Sequence, residues 1–443
     1  MIKHGDWIDK IDRDIIPFVE YPGYESRYPT IEPVRLSNRL LQEVTDASKF
    51  LFYAFRDTTR VFQDCGNEFM KDMDIPEKLI PYLNLKEQNV MQMPTWLSRF
   101  DFVLDKDIHP HMVEINADTP CAVVEAFYGN GIAATELGYP NVNVNSYYEL
   151  RSYFKRIILA TEVMKFKKNG SISTDAPFVF ACFDDYVEDK GTTMYLMNVM
   201  KDAASSLFPD AKDLVCFMSF YDLRIDDDGI VLPDGRHAGA IYRLHPMELL
   251  IEETAEDGTD LGVYMLEGYK HGKFAMMNPP EAIIMQSKGF QALITQKECK
   301  AVLSESQREA VEKYMLPTFF ERDFVPEKES RWIKKPIWGR EGNGIKLLDH
   351  HGNLIDEKYI ENPEEIVQRD STTCIYQKFI EQPTFKLKTD EGIVDGYITL
   401  SVFMLGKEPS AVYARFSPEQ IAGTEAYWAP IIGTLQQFTA FET

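Results

Sequence analysis

Two short blocks, Arg99-Phe100-Asp101 and Glu114-Ile115-Asn116, bring an arginine, two carboxylates and a carboxamide into stretches where polar and apolar residues alternate. On a strand, residues two apart share a face, so Arg99 falls with Asp101 and Glu114 with Asn116, and a hairpin would let the two pairs converge. Carboxylate and amide oxygens are hard ligands of the kind Mg2+ takes beside water and phosphate, and an arginine fork can hold a phosphate through two bonds. The chemistry implied is phosphoryl transfer. Taken alone, the same letters also suit the polar face of an ordinary hairpin.

A second group lies far downstream. Lys335-Pro336-Ile337-Trp338-Gly339-Arg340-Glu341-Gly342-Asn343-Gly344 carries a lysine out of a strand into a loop with three glycines, whose bare amides can come close to phosphate oxygens. The pattern is neither a Walker loop nor GxGxxG, and a plain hairpin would use it too. Lys288, in Gln286-Ser287-Lys288-Gly289-Phe290, reads by itself as a lysine at a helix start.

The elements that must position these groups are partly legible. Apolar residues at helical spacing (Leu36, Leu40, Leu41, Val44, Ala47, Leu51, Ala54) predict an amphipathic helix within residues 33–70. Residues 98–104 and 111–116, on either side of Asp105-Lys106-Asp107, predict a β-hairpin. A strand over Phe178 to Phe183, a helix from Thr192 to Leu207 and a strand over Gly239 to Leu244 follow, and residues 282–315 are expected to be helical. Strands are expected again at Arg331 to Lys335, Gly344 to Leu348, Cys374 to Ile380 and Gly396 to Leu405. Borders near Ser152 and Pro280 divide the chain into an N-terminal helical and metal-site region (1–151), a substrate region (152–280) and a nucleotide region (281–443) of an α+β protein.

Composition narrows the partners. A chain of 443 residues, 44% hydrophobic and 26% charged, is large enough for about two or three packed units and too apolar for disorder. A net charge of -23 without a cluster of Lys and Arg argues against nucleic acid and against anionic membrane surfaces. An acidic surface attracts cations such as Mg2+ or a polyamine. Met1 to Pro17 has no apolar run of the kind a signal peptide or anchor needs, and no later stretch is long enough to span a bilayer. Six cysteines without CxxC spacing suit reduced thiols, and the cytoplasm is the expected compartment. His109-Pro110-His111 and His350-His351-Gly352 read as turns.

In order along the chain, Arg99-Phe-Asp101, Glu114-Ile-Asn116-Ala-Asp118-Thr-Pro, Lys335-Pro, Gly339-Arg340-Glu341-Gly342, Ile375-Tyr376-Gln377 and Arg415 resemble the blocks of the glutathionylspermidine synthase family. The resemblance implies an α+β, glutathionylspermidine synthetase-like fold with a permuted, split ATP-grasp site, the metal ligands preceding the lysine-bearing strands. ATP and Mg2+ are the cofactors it implies. Asp101, Glu114 and Asn116 look like the metal ligands, Arg99 and Arg415 like the arginines that steady an acyl phosphate, and Lys288 and Lys335 like the lysines on the nucleotide phosphates. Gly339, Arg340, Glu341 and Gly342 resemble the phosphate loop, and Gln377, Lys378, Phe379 and Ile380 the strand facing the adenine.

The reaction implied joins a small-molecule acid, a peptide or amino acid, to an amine, for which a polyamine is one candidate. Glu188 and Asp189 stand where family members carry acidic residues for the amine, although acidic residues also suit the start of a helix. Asp118, Thr119 and Glu125 are candidates for the acid's site, and Arg243 for a substrate-facing strand end, while Thr119-Pro120-Cys121 leaves glutathione open as the acid. The Arg99 block begins too early for the amidase domain of bifunctional members, so a synthetase alone is expected, with a homodimer as a family habit. A phosphotransferase, or a nucleotide- or polyamine-binding protein without turnover, stays open beside the ligase.

Overall fold

The computed structural model describes residues 7–20, 27–65, 67–165, 167–168, 171–172, 176–209, 214–255, 258–340, 342–357, 373–423 and 425–433. In chain order, the elements that frame the site are α1 (Asn38–Cys65), β1 (Leu97–Leu104), β2 (Pro110–Asn116), α2 (Ser146–Lys165), β3 (Phe178–Cys182), α3 (Val187–Leu207), β4 (Val215–Ser219), β5 (Ala240–Arg243), α4 (Met247–Leu250) and β6 (Ala275–Met277). They continue with α5 (Lys288–Ile294), α6 (Glu305–Tyr314), β7 (Thr318–Phe320), β8 (Trp332–Pro336), β9 (Lys346–Leu348), β10 (Leu354–Glu357), β11 (Cys374–Lys378), β12 (Phe385–Thr389), β13 (Gly392–Leu405), β14 (Glu408–Ser417) and β15 (Tyr427–Ala429).

These strands form three larger sheets. An antiparallel sheet runs β15-β14-β13-β1-β2, with β12 also on β13; a parallel sheet runs β6-β5-β3-β4; a second antiparallel sheet runs β7-β11-β8-β9-β10. In the first, Asp101 is the register partner of Ser401 and Arg99 of Phe403, so residues near the start and the end of the chain build one floor. Strand β3 is buried at all five positions, as a strand inside a helix-covered parallel sheet must be.

Helix α1 forms because its apolar residues recur at three- and four-residue spacing, and that stripe (Leu40, Val44, Ala47, Leu51, Phe55) is buried. The Phe55 ring lies 5.8 Å from that of Phe100 on β1 and 4.7 Å from that of Phe290 on α5, which welds the helix to the floor and to the segment bearing Lys288.

The stretch 282–315 is not one helix. It breaks into Ala282–Gln286, α5, Lys297–Lys300 and α6. At the first break Ser287 is extended, its hydroxyl donates to the Met73 carbonyl at 2.6 Å, and it accepts from the Gly289 N–H at 3.2 Å, capping α5. The last of the four, α6, starts with a capping box between Ser304 and Gln307. The break at Ser287 is what puts Lys288 in a first helical turn. No helix among the described residues is long and apolar enough to cross a membrane.

Candidate functional site

The hairpin forms where the alternation predicts it. Asp101 pairs with Glu114 and Arg99 with Asn116, with a bulge after Asp101. Over this floor stands the second antiparallel sheet, and between the two lies a cleft of roughly 960 Å3, counting the space that opens to solvent. Asp101 and Glu114 line it from β1 and β2, Thr399 and Arg415 from β13 and β14, Lys335 and Gln377 from β8 and β11, and Lys288 from α5.

The floor is tightly wired. Arg99 grips Asp101 through two bonds, Nε to Oδ1 and Nη2 to Oδ2, both 2.7 Å, and donates Nη1 to the Cys121 carbonyl at 2.7 Å. Each carboxylate oxygen keeps a further lone pair after that contact, and the Asn116 amide donates to Oδ2 at 3.1 Å. Burial pushes the Glu114 carboxyl up, but the charges of Lys288, Lys335, Arg99 and Arg415 outweigh it and hold Glu114 at about 2. Its nearest cation is Lys288, Nζ to Oε2 3.6 Å.

Above the floor, Lys335 Nζ donates to Gln377 Oε1 at 2.7 Å, and Lys288 Nζ to the Gly339 carbonyl at 2.7 Å. Burial lowers the Lys335 ammonium, Glu114 resists and Lys288 adds, for a net value of about 8. The Arg415 guanidinium has no hydrogen-bond or ion-pair partner among the described residues; burial works against its charge, but Tyr413 and Asp101 outweigh it and its pKa is raised. Four cations therefore face two carboxylates in a chain whose net charge is -23. Such a surplus suits a polyanion accompanied by a divalent cation, and the oxygens of Asp101, Glu114 and Asn116 are the donor set a hard cation such as Mg2+ prefers. A different acidic group, Asp105, Asp107 and His109, lies in the hairpin turn, where Asp105 Oδ1 accepts the N–H groups of Asp107 and His109 at 2.9 Å and so closes the turn.

The other expected residues divide. Gly339 and Gly342 line the cleft, as do Lys378, Phe379 and Ile380. Gly342 has φ +74, and a Cβ there would sit 2.5 Å from the Ala422 carbonyl oxygen, so glycine is required where the loop meets residues 420–422. Arg340 departs from the expectation of a phosphate ligand: its guanidinium turns out of the cleft to Glu248, because that buried carboxylate offers it an ion pair. Glu341 lies outside the described residues.

Asp118 and Arg243 also depart from the expectation of substrate contact. Their side chains have no exposure, and Arg243 donates Nη1 to Oδ2 at 3.0 Å and Nη2 to Oδ1 at 2.5 Å of Asp118, so the two form a buried ion pair closed off from the cleft. Thr119 is buried, and Glu125 is buried in a π-helical turn, Glu125–Gly129, accepting from Tyr28 Oη at 2.9 Å. Glu188 is exposed and Asp189 half-buried in the first turn of α3; neither lines the cleft, although the charges of Asp189, Arg99 and Arg340 all act on the Cys121 thiol.

Two amide side chains that composition does not single out hold the floor in place. Asn278 accepts the N–H groups of Trp96 and Leu97 and donates to the carbonyls of Ala117 and Asp118, tying the start of β1 to the end of β2. Gln286 accepts the N–H of Ala117 at 2.7 Å and of Asp118 at 3.1 Å. For Asn278 the available signal is Asn278-Pro279-Pro280, a stretch that cannot continue a strand.

Residues 25–432 match the family model described as glutathionylspermidine synthase preATP-grasp. A protein of Haemophilus influenzae named "Putative acid--amine ligase" is 24% identical over 343 residues, which cover 76% of this chain and 75% of that one. A glutathione synthetase-like effector from Globodera pallida, solved in its apo form, superposes with a TM-score of 0.55 over 98% of this chain and 96% of that one, at 10% identity. At that identity the likeness is one of fold.

Proposed function

The chain belongs to the glutathionylspermidine synthase preATP-grasp family, and on that premise we propose that it is an ATP-dependent ligase joining a small-molecule carboxylic acid to an amine. The observation that carries this reading is the cleft between two antiparallel sheets in which Lys288, Lys335 and Arg415 stand with Asp101 and Glu114, while Arg99, buried against Asp101, adds its charge from behind. The order of these groups, acids near residue 100 and lysines after residue 280, supports a permuted, split ATP-grasp arrangement.

In this reading Lys288 and Lys335 neutralise the nucleotide phosphates, the amides of the glycine loop approach them from above, and the backbone of residues 377–380 edges the adenine. Asp101, Glu114 and Asn116 would hold Mg2+, which when bound screens the phosphate oxygens. Arg415, without a hydrogen-bond or ion-pair partner among the described residues, takes the charge that spreads over the transferring phosphoryl group, while Arg99, fixed by Asp101, orients the carboxylate. A carboxylate oxygen of the acid attacks the γ-phosphorus and ADP leaves, giving an acyl phosphate. The amine then attacks the acyl carbon, the C–N bond forms, inorganic phosphate departs with the electrons of the C–O bond, and the amine nitrogen loses a proton. The acid would be a peptide or amino acid, and a polyamine is one candidate amine.

The test is release of ADP and phosphate from MgATP against a panel of peptides and amino acids crossed with amines, with mass spectrometry for a condensed product. Release that needs both substrates and yields an amide supports the ligase. ADP without amide would point to a phosphotransferase, and binding of MgATP without turnover on any pair to a nucleotide-binding protein.

A further inference from the structure

The glycine loop is attached to its surroundings by a small number of named contacts. Lys288 Nζ holds the Gly339 carbonyl at 2.7 Å, Trp338 Nε1 donates to the Asp74 carbonyl at 2.7 Å, and Gly342 abuts Ala422. Residues 337–345 make one ion pair among the described residues, Arg340 with Glu248: Nε lies 3.1 Å from Oε1, and Nη2 binds the same oxygen.

Glu248 belongs to α4, and α4 is itself anchored. The N–H of Met247 donates to Asp118 Oδ2 at 2.8 Å, and Asp118 is locked to Arg243. Asp118 stands two residues past Asn116, at the end of the strand that carries Glu114. A continuous set of bonds thus runs from the acid-bearing hairpin through Asp118, Met247 and Glu248 to Arg340 and the loop over the cleft. Glu248 is 9% exposed and its Oε2 is buried without a hydrogen-bond partner. Burying a carboxylate with one oxygen unmet is unfavourable for folding, so its placement points to a task at Arg340.

We propose that Glu248 is a positioning residue: by gripping Arg340 it fixes the glycine loop to the end of the acid-bearing hairpin, so that the loop amides keep their place above the nucleotide phosphates. This rests on the nucleotide reading of the cleft. The contact is local, between a short helix and a loop, and carries no part of the apolar core.

The experiment uses the full chain and two readouts. Calorimetric titration with the Mg2+ complex of a non-hydrolysable ATP analogue is expected to give binding about tenfold weaker in Glu248→Gln than in wild type, the scale of one lost charge-assisted bond, with part of the affinity returned by Glu248→Asp and by the charge-swapped pair Glu248→Arg with Arg340→Glu. Amide exchange of residues 337–345, followed without nucleotide, is expected to quicken in Glu248→Gln and in Arg340→Met while α1 keeps its protection. Unchanged exchange in both variants overturns the proposal whatever the nucleotide does, and so does Glu248→Gln binding like wild type. Failure of the wild-type chain to bind the analogue defeats the nucleotide reading instead, and the exchange result still decides the contact. If Glu248→Gln does not fold, Arg340→Met, altered at a partly exposed loop side chain, decides it from the other partner.

Discussion

Lys335 Nζ and Gln377 Oε1 meet at 2.7 Å from adjacent antiparallel strands, β8 and β11, with their residues offset by two in register so that both side chains face the cleft. Together with a longer bond to the Val113 carbonyl at 3.4 Å, this contact gives a buried ammonium two neutral partners and leaves its third donor for a ligand.

That placement makes nucleotide binding depend on pH. The ammonium titrates at about 8 instead of its ordinary 10.5, because burial opposes its charge. Below about 8 it is charged and binds phosphate; as pH rises through 8 it loses the proton, and affinity for MgATP should fall. A bound polyanion raises the pKa, so at pH 8.5 to 9 binding should take up protons, visible as a buffer-dependent heat in calorimetry. The fold is affected in the opposite sense: the penalty for burying the charge is full below about 8 and disappears as pH approaches 10.5. Affinity that stays flat from pH 7 to 9.5, or that falls equally in Lys335→Met, would remove Lys335 from the phosphate site.

Glu114 should control the divalent-cation requirement. Its carboxyl, held at about 2 by four surrounding cations, is ionised throughout the physiological range. Glu114→Gln keeps the shape and removes the charge, and the Mg2+ concentration for half-maximal nucleotide binding should rise at least about tenfold. The same depressed value gives a stability contribution that is present above the ordinary 4.5 and is lost as pH falls from there toward 2. An unchanged Mg2+ requirement in Glu114→Gln would exclude it as a ligand.

Arg243 and Asp118 should behave as structure. Both side chains are fully buried and bonded to each other, so Arg243→Met strands a carboxylate in the interior and should lower stability by about 3–5 kcal/mol in urea unfolding. The paired change Arg243→Met with Asp118→Asn should recover much of that loss. A stable Arg243→Met protein with weakened binding of the acid would reverse the assignment and return this pair to the substrate.

How far this site could be read from letters differs residue by residue. The hairpin was accessible because alternation on both sides of a turn is local information, but the Asp101–Glu114 pairing was not, since the register at the turn, Phe102 opposite Met112, would set Asp101 against Val113 and the bulge after Asp101 brings Glu114 there instead. Helix α2 went unread although its signal was present, with Leu150, Tyr153, Phe154, Ile157 and Ile158 all buried at helical spacing. Lys288 was legible as a lysine at a helix start, and it opens α5; what local letters did not show is that the helix expected over 282–315 breaks just before it, because the Ser287 cap is completed by a carbonyl at Met73. The far wall is non-local: nothing around Asp101 announces that Ser401 lies beside it, or that Arg415 arrives two strands away. Arg340 had the same limit, because a loop side chain points where its tertiary partner stands, and Glu248 is 92 residues away.

Arg415 separates binding from chemistry most cleanly. Unlike Arg99, which Asp101 holds through two bonds, it reaches the cleft from β14 with no hydrogen-bond or ion-pair partner among the described residues. A cation left without such a partner at a half-buried place in the cleft suits a charge that is greatest in the transition state, where the phosphoryl group carries its spread negative charge. Arg415→Lys should therefore keep affinity for MgATP within about threefold while turnover falls by about 10²–10³-fold, because a point charge does not reproduce a planar fork. Single-turnover product formation should slow by the same factor, with the melting temperature little changed. Loss of MgATP affinity in step with turnover would instead make Arg415 a ground-state phosphate ligand, and full activity in Arg415→Lys would remove it from the reaction.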